Sequence, residues 1–184
     1  MKIAIIGGGI SGLSVYHALH KHLSESASPV TVKVFESHAS PATNTSTIGG
    51  GLGLAPNGLR AISSISMRIA DYIQEHGFRG GIMTFRNSSG TLLGRYWSGR
   101  KERYGFGHVL LSRAVVHEAL LQDIPAGAVE WGKKVSLVRE TADGVEVEFE
   151  DGTVEKADLV IGADGVKSLV REAIFGKEYQ AQYE

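Results

Sequence analysis

Residues 2–12 read KIAIIGGGISG, an Ile-rich apolar run that breaks into Gly7-Gly8-Gly9 and then Gly12. A short apolar run ending at glycine predicts a buried parallel strand over Lys2–Ile6. Ile10, Leu13, Tyr16, Leu19 and Leu23 follow near helical spacing, which predicts a helix over Ile10–Leu23. The β-branched stretch Val30–Phe35 predicts a second strand, and Glu36, 24 residues after Gly12, closes it. G-x-G-x-x-G alone is a weak signal. Between a strand and a helix, with an acidic residue ending the next strand, it is the full context of a dinucleotide-binding βαβ unit. Gly7 then allows the tight turn, Gly9 lets backbone approach a diphosphate, and Gly12 lets helix and strand pack closely. Ile10 and Ser11 open a helix whose free amides and partial positive charge suit phosphate. Glu36 can accept hydrogen bonds from ribose hydroxyls and would repel a 2′-phosphate, so the tightly held nucleotide is expected to be FAD or NAD, not NADP. The competing reading is a glycine-rich turn without a ligand.

Composition narrows the remaining classes. The chain has 184 residues, enough for a real core in one domain and part of a second. With 19 Lys+Arg against 20 Asp+Glu, the net charge of −1 removes the electrostatic case for a general nucleic-acid binder. The absence of Cys excludes disulfide scaffolds, thiolate zinc sites, iron–sulfur clusters and a Cys nucleophile. No apolar run approaches the ~18 residues of a membrane span, and no small-residue cleavage site follows the apolar N-terminus. A cytoplasmic location is expected from these features. Glycine is the outlier: 24 residues, clustered at 7–12 and again at 49–53.

Beyond Glu36 the pattern departs from alternating helix and strand. Residues 37–47 read as an aperiodic polar loop, and 48–54 alternate glycine with apolar residues. Helices are expected over 56–64 and 67–76, a hairpin over 81–96 with its turn at 87–90, a strand over 108–111 and a helix over 112–122 capped by Ser112. Three strands of a β-meander follow at 134–140, 145–150 and 153–156. Asp158–Ile161 is a buried-type strand running into Gly162-Ala163-Asp164-Gly165, and 168–175 is a helix. The interruption separates this layout from a two-half dehydrogenase and matches the flavin-binding variant of the fold.

Four stretches carry a family resemblance: KIAIIGGGISGL with VKVFE, GLGLAPNGLRAI, LLSRAVVHEALL, and DLVIGADGVKSLVR. The chain resembles the N-terminal FAD-binding part of class A FAD-dependent aromatic hydroxylases, the group of p-hydroxybenzoate and salicylate hydroxylases, over essentially its whole length. The resemblance implies an α/β, Rossmann-like FAD-binding domain with a β-meander and part of a β-rich substrate domain. Residues 1–80 and 108–184 would form the FAD-binding domain and 81–107 a partial substrate-domain hairpin. It implies that Arg113 contacts the flavin near its ribityl and phosphate groups, that Val135 lays its backbone against the adenine, and that Asp164 and Gly165 form the motif beside the flavin diphosphate. Arg171 is expected to brace that motif by pairing with a carboxylate. The family reduces FAD with NADH or NADPH and, through a flavin C4a-hydroperoxide, transfers one oxygen of dioxygen to an aromatic substrate. Two departures stand out. The loop after Glu36 has no basic residue except His38, where the family often has Arg. The family's later Gly-Asp motif, which frames the flavin ring, is absent, so the chain reads as truncated, lacking the half that would hold the catalytic residues or pairing with it as a partner or oligomer.

Other constellations are weaker. His17, His20 and His22 lack an adjoining acidic or Cys ligand, which favours surface histidines over a metal site. The four basic residues within 95–103, interleaved with Tyr96 and Trp97, read as a solvated connection or an anion patch. No G-x-S-x-G occurs. Two functional classes stay open beside the monooxygenase: a nucleotide-binding protein without turnover, and an NAD-dependent reductase, against which the meander and the GADG strand argue.

Overall fold

The computed structural model describes residues 1–23, 28–44 and 50–179. In chain order the elements are β1 (Lys2–Ile6), α1 (Ile10–Leu23), β2 (Thr31–Glu36), β3 (Gly51–Leu54), α2 (Pro56–Ile65), α3 (Met67–His76), β4 (Phe78–Gly80), β5 (Ile82–Arg86), β6 (Leu92–Trp97), α4 (Lys101–Tyr104), β7 (His108–Ser112), α5 (Arg113–Leu121), β8 (Val129–Trp131), β9 (Val135–Thr141), β10 (Gly144–Phe149), β11 (Val154–Ala157), β12 (Leu159–Gly162) and α6 (Leu169–Phe175). The chain divides into two compact units, Met1–Ile48 with Leu120–Glu184, and Gly49–Ala119. Of the loops expected from sequence, residues 24–27 and 45–47 lie outside the described residues, as does Gly49.

The first unit is built on a parallel sheet of order β12-β1-β2-β8. Alternation along β1 explains why it sits centrally. Ile3 and Ile5 face one side, where Val32, Val34 and Tyr16 join them and Val15, Leu19 and Leu23 of α1 pack. Ala4 and Ile6 face the other, with Phe35, Val147, Phe149, Ala157 and Val170. The antiparallel meander β11-β10-β9 therefore covers one face and α1 the other, and a strand buried on both sides needs the unbroken apolar run that KIAII provides.

Besides Gly51–Leu54, two very short strands were not expected from the sequence as separate elements. Val129–Trp131 pairs with the end of β2, Glu36 opposite Trp131, and Phe78–Gly80 pairs with β7. Both have three residues, too short for a period-2 pattern to register.

In the second unit β3-β7-β4 form an antiparallel sheet, and Leu59, Ile69, Ile73, Val109 and Val116 are buried. Ser66 caps α3 by accepting from the Ile69 amide at 3.4 Å, and Ser112 does the same for α5 at Val115, also 3.4 Å. The hairpin β5–β6 forms with its turn where expected, Asn87 Oδ1 accepting from the amides of Ser89 and Thr91. Its strands stay largely exposed, and Phe85 stacks on Tyr96 across it.

Ile5 is fully buried between β1 and α1. Ile5→Ala is expected to cost about 2–5 kcal/mol through lost burial and an unfilled cavity. Urea unfolding of the two proteins, compared at equal slope, measures this.

Candidate functional site

The turn after β1 is the point where four parts of the first unit meet. Gly7 has φ +106°, and its amide donates to the Phe35 carbonyl at 2.8 Å. A Cβ at Gly7 would lie 2.3 Å from the Ala163 carbonyl oxygen, and one at Gly12 would lie 1.9 Å from the Gly7 carbonyl oxygen. These two positions exclude every other residue because β1, α1 and the end of β12 are in backbone contact there. Gly9 accepts from the Leu13 amide at 3.0 Å and so begins α1. Ile10 and Ser11 form the first turn, Ser11 exposed, and that turn carries no acidic residue. Its amides are the donors that no helical carbonyl satisfies.

Glu36 ends β2 beside this turn and is 5% exposed. Its Oε2 accepts from the Gly8 amide at 2.6 Å. Its Oε1 accepts from Ser37 Oγ at 3.0 Å, from the His38 amide at 2.9 Å and from His38 Nδ1 at 2.6 Å. Burial pushes the Glu36 carboxyl up, but the donors of His38, Gly8 and Ser37 outweigh it and hold the group below its ordinary value of 4.5. The acid is therefore a charged carboxylate at neutral pH, kept inside by hydrogen bonds, one of them from the His38 imidazole.

Gly8 matters more than its variable place in G-x-G-x-x-G suggests. A Cβ there would lie 2.9 Å from Glu36 Cβ and 3.1 Å from its Oε2. The run of three consecutive glycines was the available signal: the middle one makes room for the carboxylate that its own amide holds.

At the other side of the turn, Asp164 is committed locally. Its Oδ1 accepts from Ser168 Oγ at 2.6 Å, and its Oδ2 from the amides of Leu169 at 2.8 Å and Val170 at 3.3 Å. Ser168 Oγ in turn accepts from the Arg171 amide at 2.9 Å. Gly165 has φ +79°. The expected pairing of Arg171 with a carboxylate is corrected: its guanidinium donates to the Val166 carbonyl instead, because the Asp164 oxygens are already taken by α6. Val135 starts β9 and packs against the meander face of the core. Arg113 is the exposed first residue of α5 and belongs to the second unit, while the glycine turn, Glu36, Val135 and Asp164 belong to the first.

The remaining sequence candidates resolve locally. His17 Nε2 is 2.7 Å from the Leu120 carbonyl, and His20 stacks on Tyr16. Among the described residues no group of three His, Cys, Asp or Glu could hold a metal. Within the basic segment, Arg100 lies over Trp97 and Arg103 over Tyr104, so two of the four cations rest on neighbouring rings. No helix among the described residues is long and apolar enough to cross a membrane.

Gly8→Ala is expected to destabilise by about 1–3 kcal/mol by displacing Glu36. Gly94→Ala, where a Cβ meets nothing, should stay within about 0.5 kcal/mol, and denaturant unfolding compares them. Glu36 also sets an acid limb. Its native carboxyl titrates below its unfolded value, so its contribution is complete above that value and is lost as pH falls through the native one. Unfolding free energies measured from about pH 7 to about pH 3 should fall less steeply in Glu36→Gln than in the parent.

Comparison with known proteins bears on what the turn serves. Residues 5–76 match the model of an NAD(P)-binding Rossmann-like domain. The chain is 36% identical over 177 residues to 3-amino-4-hydroxybenzoate 2-monooxygenase of Streptomyces cremeus, which covers 95% of this chain and 42% of that protein. It is 31% identical over 189 residues to salicylate hydroxylase of Pseudomonas putida, covering 100% of this chain and 40% of that one. Among solved structures, Klebsiella pneumoniae HpxO complexed with FAD and uric acid superposes with a TM-score of 0.77 at 29% identity, over 94% of this chain and 41% of that one. The chain thus spans about two fifths of the length of these relatives. The chain thus has the Rossmann-like fold of the FAD-binding part of such proteins, with a glycine turn, a buried strand-end Glu and a meander on the far face of its parallel sheet, and it is similar to these monooxygenases over about two fifths of their length.

Proposed function

We propose that this chain is the FAD-holding part of an NAD(P)H-dependent monooxygenase that hydroxylates an aromatic or related small molecule. The observation that carries the reading is the buried, charged Glu36 against the glycine turn that opens α1. The residues fit the group. Gly7, Gly9 and Gly12 keep side chains out of the turn, and the amides of Ile10 and Ser11 are donors for a diphosphate. Glu36 takes a ribose hydroxyl and Val135 lays backbone beside the adenine, while the phosphate–ribityl role of Arg113 rests on the family resemblance alone. Asp164 and Gly165 act through the shape of their turn, since both Asp164 oxygens already hold protein donors. Bound flavin supplies electron transfer from NADH or NADPH to dioxygen and delivery of one oxygen atom to the substrate ring. The chain's own share is binding, orientation and exclusion of water.

Residues 1–80 with 108–184 are assigned to cofactor binding, and 81–107, which contain the exposed hairpin, to the substrate side. An aromatic acid is the favoured substrate class because relatives carry names such as salicylate hydroxylase. The cytoplasm, where reduced nicotinamide is supplied, is the favoured location. A second reading is binding of FAD or ADP without turnover, which the glycine turn and the buried Glu36 carboxylate would equally support.

Titrating the purified chain with FAD, followed by flavin absorbance and fluorescence, should show saturable binding that ADP competes away. Glu36→Ala should weaken it about tenfold or more. Binding of ADP but not FAD would select the second reading. Saturable binding of neither would overturn both.

A further inference from the structure

We propose that His38 is the positioning residue of the nucleotide site: it holds one oxygen of Glu36 so that the other is presented to a ribose hydroxyl. The inference rests on the nucleotide-binding reading above and deepens it. The two carboxylate oxygens are unequally used. Oε1 accepts from Ser37 Oγ, the His38 amide and His38 Nδ1, two of these three donors coming from His38. Oε2 accepts only from the Gly8 amide among the bonds described. A carboxylate oxygen has two lone pairs in its plane, so Oε1 is saturated and Oε2 keeps acceptor capacity.

His38 is itself anchored. Its carbonyl accepts from the Gly132 amide at 2.8 Å, and the Glu36 carbonyl accepts from the Lys133 amide at 2.8 Å. Gly132 reaches this position with φ +74°. The segment 36–38 is thus pinned at both carbonyls to the end of β8, and the imidazole, about one-third exposed, is delivered to Oε1 from a fixed backbone. With Nδ1 as the donor, neutral imidazole suffices for the contact, and no charge on the ring is required. His38 is also the only basic side chain in the segment between Glu36 and Ile48, so no other basic group there can supply this donor.

A carboxylate free to rotate about its terminal torsion would lose orientational entropy on gripping a hydroxyl. One already fixed on one oxygen does not, and preorganisation of this kind appears as affinity for the hydroxyl alone. The test reads that distinction. Binding of ADP, 2′-deoxy-ADP and 3′-deoxy-ADP to the whole chain is measured by calorimetry for the parent, His38→Leu and His38→Asn. The parent should prefer ADP over at least one deoxy analogue by about tenfold. His38→Leu should lose most of that preference by weakening ADP, while its affinity for the deoxy analogue stays within about twofold. His38→Asn, whose amide can donate to the same oxygen, should restore the preference.

A His38→Leu protein that weakens all three ligands equally, or keeps the full preference, overturns the proposal and leaves the nucleotide reading standing. Parent protein that binds ADP without discriminating the deoxy analogues overturns it likewise. Absence of ADP binding to the parent overturns the nucleotide reading and this inference together.

Discussion

A single buried carboxylate organises the glycine-turn end of the first unit. Glu36 closes β2, and its Oε2 receives the Gly8 amide from the turn between β1 and α1. A charged acid at 5% exposure is tolerable only if it is well hydrogen-bonded, and four donors reach it, three on Oε1 and one on Oε2. That requirement couples three pieces of chain. The β1–α1 turn must bring an amide, the segment after β2 must curl back, and position 8 must lack a Cβ.

The glycines of the motif divide by physical cause. Gly7 and Gly12 are demanded by backbone contacts within the protein, against Ala163 and against Gly7 itself. Gly8 is demanded by the Glu36 side chain. The fold would need these residues even in a protein that held no nucleotide. What suits the arrangement to a ligand is the pairing of an α1 start that lacks an acidic residue in its first turn with an anionic acceptor at the neighbouring strand end. In the proposed reading, helix-start amides suited to phosphate and a carboxylate suited to a sugar hydroxyl then stand together at the carboxyl ends of the central parallel strands of one sheet.

The same economy governs Asp164 and Ser168. The short helix α6 needs donors and acceptors at its start, and Asp164 takes the Leu169 and Val170 amides while Ser168 takes that of Arg171. Val170, buried in the core face shared with the meander, depends on that cap for its position. The GADG segment is therefore a structural joint between β12 and α6 as well as a neighbour of the glycine turn.

Much of this was legible in the order of residues. KIAII marks a strand buried on both faces, the spacing from Ile10 to Leu23 marks an amphipathic helix, and the β-branched runs after Val129 separated by Ala-Asp-Gly and Asp-Gly mark the meander. Those signals are local: periodicity, turn chemistry and breakers act within a few residues. The likeness of four stretches to flavin hydroxylases was legible too. Only the tertiary structure decided which atoms meet. The commitment of both Asp164 oxygens to α6, the turn of Arg171 to a carbonyl, the need for glycine at position 8 and the grip of His38 on Glu36 all depend on contacts between side chains and backbone brought together by folding. A single sequence carries the residue types for such contacts. Their pairing is set by the register of β2 against β1 and β8, a long-range quantity no local pattern encodes.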